Sequence, residues 1–125
     1  MPYTHTHSQA VTRSGLELVS ARFDLTGDQE INLEEDLAAN QTNLEFTLGL
    51  DVSKLKSYVL VATAAVTLKT NSTGSPDDTI LLPAGKAVVW YDGSPYANLF
   101  GTDVTKVYLT NTAAASVKFS FLVDN

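Results

Sequence analysis

Hydrophobic and polar residues alternate in steps of two along much of the chain. Leu16 and Leu18, with Ser20 and Arg22, divide from Glu17, Val19, Ala21 and Phe23 onto two faces. Leu44, Phe46, Leu48 and Leu50 share one side, with Glu45, Thr47 and Gly49 on the other. Val107 and Leu109 oppose Lys106, Tyr108 and Thr110, and Val117, Phe119, Phe121 and Val123 oppose Lys118 and Ser120. A period of two gives a strand one buried and one wet face. Turn formers punctuate the runs at Thr26-Gly27-Asp28, Asn71 to Asp78, Pro83-Ala84-Gly85-Lys86 and Asp92-Gly93-Ser94-Pro95. The pattern predicts strands over 15–24, 29–35, 43–50, 57–62, 65–70, 79–82, 86–91, 105–110 and 116–123, with a helical turn competing only over Leu33 to Asn40. Short strands at this spacing, without a sustained helical period, indicate an all-β chain folded as an antiparallel sandwich or barrel.

One internal echo adds to this. Asp51-Val52-Ser53-Lys54 leads into a strand opening at Tyr58, a small-residue corner, and a second strand through Lys69. Asp103-Val104-Thr105-Lys106 leads likewise through Tyr108 and a corner of alanines to Phe119. In both, an Asp with Ser or Thr two positions on can close an Asx-turn at the strand entry. The echo predicts two similar hairpins stacked across one core.

Composition narrows the class. The chain has 125 residues, 44% hydrophobic and 18% charged, enough for one packed domain and too few for two. We expect a single β-sandwich over 15–125, preceded by an extended polar arm over 1–14. No basic and apolar leader pattern is visible in Met1 to Gln9, and the nearly apolar run Tyr58 to Leu68 is shorter than the roughly 20 residues of a spanning helix. The expectation is a chain made in a cytosol and kept off membranes. With no cysteine, disulfides, thiolate metal sites and cysteine nucleophiles are excluded.

The net charge of −6 disfavours nucleic acid as a partner, because such a surface repels phosphate. Asp24, Asp28, Glu30, Glu34, Glu35, Asp36, Glu45 and Asp51 follow one another with no Lys or Arg between them. This run is either a solvated face that keeps copies apart, a patch for a basic partner, or an oxygen-rich cation site.

Reactive chemistry is sparse. No Gly-x-Ser-x-Gly occurs, and His5 and His7, both on the polar arm, are the two histidines. Their alternation puts both imidazoles on one side of an extended segment, where they could share a divalent ion, but no third ligand is placed. The acidic loops do not follow the EF-hand pattern, and no glycine-rich loop precedes a helix. Neither a catalytic residue, a metal nor a cofactor is expected. The aromatic side chains concentrate over Trp90 to Phe100, which holds Trp90, Tyr91, Tyr96 and Phe100. Either these rings close the end of the sandwich, or they form a contact surface for a protein or a sugar.

The segment Val66 to Ile80, followed by Leu82-Pro83-Ala84-Gly85-Lys86, Val89-Trp90-Tyr91 and Asp103 to Asn111, is similar to small β-sandwich proteins encoded by tailed bacteriophages. Some of these resemble the jelly-roll decoration, or cement, proteins on the outside of capsids. The resemblance covers residues 50–125 and is a pattern of strands and turns. It implies a jelly-roll-like sandwich of eight or nine strands in a structural virion protein that binds and stabilises a phage head. The implied partner is the major capsid protein or another virion protein, in a dimer or trimer, with no nucleic acid and no membrane. Contact residues would lie in the arm (Tyr3, His5, His7) and the aromatic loop (Trp90, Tyr91, Tyr96, Phe100). The same turns occur in tail and fibre modules, so the alternative is a carbohydrate- or receptor-binding module.

Overall fold

The computed structural model of the chain describes residues 3–124. Ten strands are present: β1 (Tyr3–Arg13), β2 (Leu16–Gly27), β3 (Gln29–Leu37), β4 (Leu44–Leu50), β5 (Leu55–Ala62), β6 (Val66–Thr70), β7 (Thr79–Leu82), β8 (Val88–Tyr91), β9 (Val104–Asn111) and β10 (Ala115–Val123). The last eight form two four-stranded antiparallel sheets, ordered β3-β10-β5-β8 and β4-β9-β6-β7. That connectivity is a jelly roll, in which the chain passes back and forth between two facing sheets. Among the described residues, no helix is long and apolar enough to cross a membrane.

Alternation sets the core. Leu48 and Leu50, Val107 and Leu109, and Val117, Phe119, Phe121 and Val123 are all buried, as their spacing requires. Leu33 to Leu37 continues β3 and forms no helical turn, because pairing with β10 runs unbroken to Ala115↔Leu37.

The sequence echo has a different structural meaning from stacked hairpins. Each repeat is an arch whose first strand lies in one sheet and whose second lies in the other. β5 pairs with β10 and β6 with β9, so the two arches face each other in opposite senses. Asp51 closes the expected turn, accepting from the Ser53 hydroxyl at 2.6 Å and from its N–H at 3.0 Å, and these contacts, the hydroxyl's first, hold its carboxyl below the usual range. Asp103 instead accepts from Val52 N–H at 2.9 Å, tying one arch to the other. The Thr105 amide turns to Asn71 Oδ1 at 2.9 Å.

The start of the chain departs most from expectation. The arm is not a lone extended segment of 14 residues: β1 pairs with β2 from Tyr3↔Gly27 to Arg13↔Leu16 in a separate two-stranded sheet. Ser14 and Gly15 close it with φ of 50° and 81°, the left-handed pair that a two-residue hairpin loop needs. The arm is therefore a ribbon reaching to Gly27, and the sandwich begins at β3. Met1 and Pro2, and the side chains of 17–21 and 23 on which the predicted division of faces rests, lie outside the described residues.

Candidate functional site: the seam between ribbon and sheet

The sheet β3-β10-β5-β8 buries Tyr58, Leu60, Phe119 and Phe121 on its inner side, so its register also maps the outer side. One outer row reads Glu30, Leu122, Ser57, Tyr91 across the four strands. The next reads Asn32, Ser120, Val59, Val89, and Lys118 pairs with Glu34 and Val61 beyond it.

Outward-facing residues are normally wet, yet Ser57 and Leu122 are 0% exposed. The ribbon covers them. Its base is pressed so close that a Cβ on Gly27 would stand 2.7 Å from the Val123 carbonyl oxygen and 3.0 Å from Leu122 Cγ. Only a residue without a side chain fits there.

Next along the ribbon, His5 and His7 point to the sheet from one side of β1, as their alternation predicts. His5 Nδ1 lies 2.9 Å from Ser57 Oγ, and its Nε2 lies 3.2 Å from Ser120 Oγ and 3.6 Å from Glu30 Oε2. His7 Nε2 lies 2.7 Å from the same Ser57 Oγ, with its ring 5.0 Å from that of Tyr91. One serine hydroxyl therefore joins two imidazoles, donating to one ring nitrogen and accepting from the other when both rings are neutral. Burial lowers the pKa of His5, with the Glu30 carboxylate acting in the opposite direction. Burial also lowers that of His7, and the neighbouring His5 adds to the effect. Both rings are thus held in the form that suits a shared hydroxyl.

The His7–Ser57 distance is that of a nucleophile and its base. In this arrangement both imidazoles lie on the Ser57 hydroxyl, and Ser57 is 0% exposed. Lifting β1 to expose Ser57 would carry the bases away with it. Among the described residues no three His, Cys, Asp or Glu side chains gather as a metal group. These contacts fasten the ribbon to the sheet.

The fastening is confined to one half. His5 contacts β10, β5 and β3, while His7 contacts β5 and β8, so the ribbon crosses the sheet towards β8. From Ser8 to Val11 four consecutive residues of β1 are exposed, so neither face of that strand is covered there. At the far end Leu16 is 68% exposed. About 20 Å of ribbon, from Ser8 to Arg13, extends past the fastening.

The other expected contact residues separate. Tyr3 is exposed at the ribbon base, and Tyr91 sits under His7. Trp90 stacks on Tyr58 at 5.7 Å and donates its indole N–H to the Tyr96 carbonyl at 3.1 Å. Phe100 cannot meet a partner: it is 1% exposed, edge-on to Tyr58 and Phe121 at 5.1 and 5.6 Å. Tyr58 supports this cluster by accepting the Leu99 N–H at 3.1 Å, and burial raises its pKa. Of the four loop aromatics, Tyr96 is the open one, at 72%. The aromatic segment thus chiefly closes the end of the sandwich. Asp77 and Asp78 are used internally, accepting from Asn71 Nδ2 and the Gly101 amide.

Sequence reasoning found the two histidines, named Glu30 only as part of the acidic run, and missed Ser57 and Ser120. They are brought together by strand register, for which the sequence carries no local signal. The ribbon's turn did leave one, the Ser14-Gly15 pair.

No family model matches the sequence, and no curated protein matches it. Among solved structures, a chain from Bacillus endospore appendages, described as forming a family of disulfide-linked pili, is similar at 13% identity with a TM-score of 0.32. The match covers 79% of this chain and 94% of that one.

Proposed function

We propose that this chain is a structural virion protein that decorates a tailed-phage head, binding the major capsid protein and stabilising the shell. The observation that carries the reading is the ribbon, fastened at one half through His5 and His7 and exposed along β1 from Ser8 to Val11 at the other. A two-stranded ribbon alone in water is marginally stable, so a bare one gains most from a surface to lie on. A jelly roll whose described buried side-chain polar atoms are all paired supplies a rigid mount for it. The strand-and-turn likeness over residues 50–125 points to the same class. Decoration needs no reactive group: binding only to the assembled shell stabilises that shell by mass action at every site.

The test is to mix purified chain with heads lacking it. The reading expects saturable co-sedimentation and survival of the heads at higher temperature and lower salt. Heads that neither bind the chain nor gain resistance would overturn it. The carbohydrate-module alternative has less support, because the Trp90 face is occupied by Tyr58 and Phe100 is buried. It would now have to rest on Tyr96, and glycan binding lost in Tyr96→Ala at unchanged thermal stability would favour it.

A further inference from the structure

The ribbon gives the molecule a direction. It starts at the β3 side of the outer sheet, crosses β10 and β5, and passes β8 with its far half uncovered. Beside the fastened half, over β3, β10 and β5 of that same sheet, lies an open groove of about 690 Å³ lined by Asn32, Glu34, Val59, Val61 and Lys118 and continuous with the His5 partners Glu30 and Ser120. The bare end of the ribbon and the open groove are thus at opposite sides of one face.

We propose that the groove receives the far half of the ribbon from a second copy of this chain, giving a head-to-tail assembly. Charge favours this occupant. Both arginines of the chain, Arg13 and Arg22, lie on the far half, with Glu17 as the one acid between them. The strand bordering the groove, Gln29–Leu37, puts Glu34 and Asp36 on the groove's face of the sheet beyond the Glu30 that His5 already meets, and holds no base. Lys118, paired with Glu34, is the cation that faces the incoming ribbon from β10. Apolar surface also matches: Val11, 51% exposed, is on the side of β1 that carries His5 and His7, and would meet Val61, beyond the Val59 that lines the cavity under this chain's own ribbon. The second copy would extend the contact that the first half already makes with the same sheet.

A contact between two different surfaces of identical molecules is heterologous, so it closes into a ring or continues as a filament. This goes beyond head decoration and needs no shell, so either reading can fail while the other stands.

Sedimentation velocity of the purified chain over a wide concentration range tests it. Three further samples complete the test: Arg13→Glu with Arg22→Glu, Glu34→Arg with Asp36→Arg, and an equal mixture of these two variants. The expected result is a weight-average mass that rises with concentration and falls with salt. Each double variant should associate roughly tenfold more weakly or worse. The mixture should recover assembly, because each variant's ribbon then meets a strand of opposite charge; recovery also shows that both variants fold. A wild-type chain that stays monomeric throughout overturns the proposal. So does assembly indifferent to both reversals, or reversals that weaken assembly without recovery in the mixture.

Discussion

His7 Nε2 lies 2.7 Å from Ser57 Oγ, joining a ribbon strand to a sheet strand 50 residues away in sequence. That contact, repeated by His5 on the same hydroxyl, decides where the ribbon is held and where it is free. Its consequences can be measured on the isolated chain.

Acid should loosen the ribbon. Both imidazoles have pKa values lowered by burial, so the fastened state binds fewer protons than the released one. The groups described around them are Glu30 from β3, Ser57 from β5, Tyr91 from β8 and Ser120 from β10, and the Glu30 carboxylate opposes the shift at His5. Fastening is then fully favourable above about pH 6.5, the ordinary histidine value, and is lost progressively as pH falls below it. Proteolytic nicking or amide exchange of β1 should rise as pH drops from 8 to 5. In His5→Gln with His7→Gln the profile should be flat across that range.

Ser57→Ala removes the hydroxyl shared by two half-buried imidazoles. An unsatisfied buried polar group costs about 1–3 kcal/mol, here charged to ribbon fastening. Ribbon amides should exchange roughly tenfold faster or more, with the thermal midpoint of the sandwich little changed. Unchanged exchange would mean that the imidazoles do not hold the ribbon.

Gly27→Ala and Gly49→Ala form a matched pair. A Cβ at Gly27 meets a main-chain oxygen at 2.7 Å, while one at Gly49 meets nothing within 4 Å. The first should destabilise by about 1–3 kcal/mol through displacement of the ribbon base. The second should be neutral or slightly stabilising. Thermal unfolding of both variants checks the contrast.

Phe100→Ala should cost about 3–5 kcal/mol, the usual result of emptying a buried aromatic site. Tyr96→Ala should stay within about 0.5 kcal/mol, since its ring stands in solvent. Equal effects on stability would show that the aromatic loop is packed differently.

The sandwich was legible because burial on one face imposes a period of two, as at Val117, Phe119, Phe121 and Val123. β1 was not, because a strand bare on both faces needs no such period: Thr4, Ser8, Gln9 and Ala10 are all exposed. The echo at Asp51 and Asp103 was visible, but whether it makes hairpins or arches depends on which strands pair, and alternation does not encode pairing. Phe100 looked like a contact residue because it sits in a loop; Tyr58 and Phe121, distant in sequence, bury it. Ser57 became part of the seam for the same reason, through neighbours supplied by register.

Amide hydrogen exchange along the ribbon tests most directly whether this chain works through an arm held at one half and offered at the other. In dilute neutral solution, Tyr3 to His7 and their partners up to Gly27 should be protected, while 9–20 exchange quickly. On concentrated chain, or on heads, 9–20 should become protected as well. Uniform protection of the whole ribbon in dilute solution, or no added protection under either binding condition, would contradict the account.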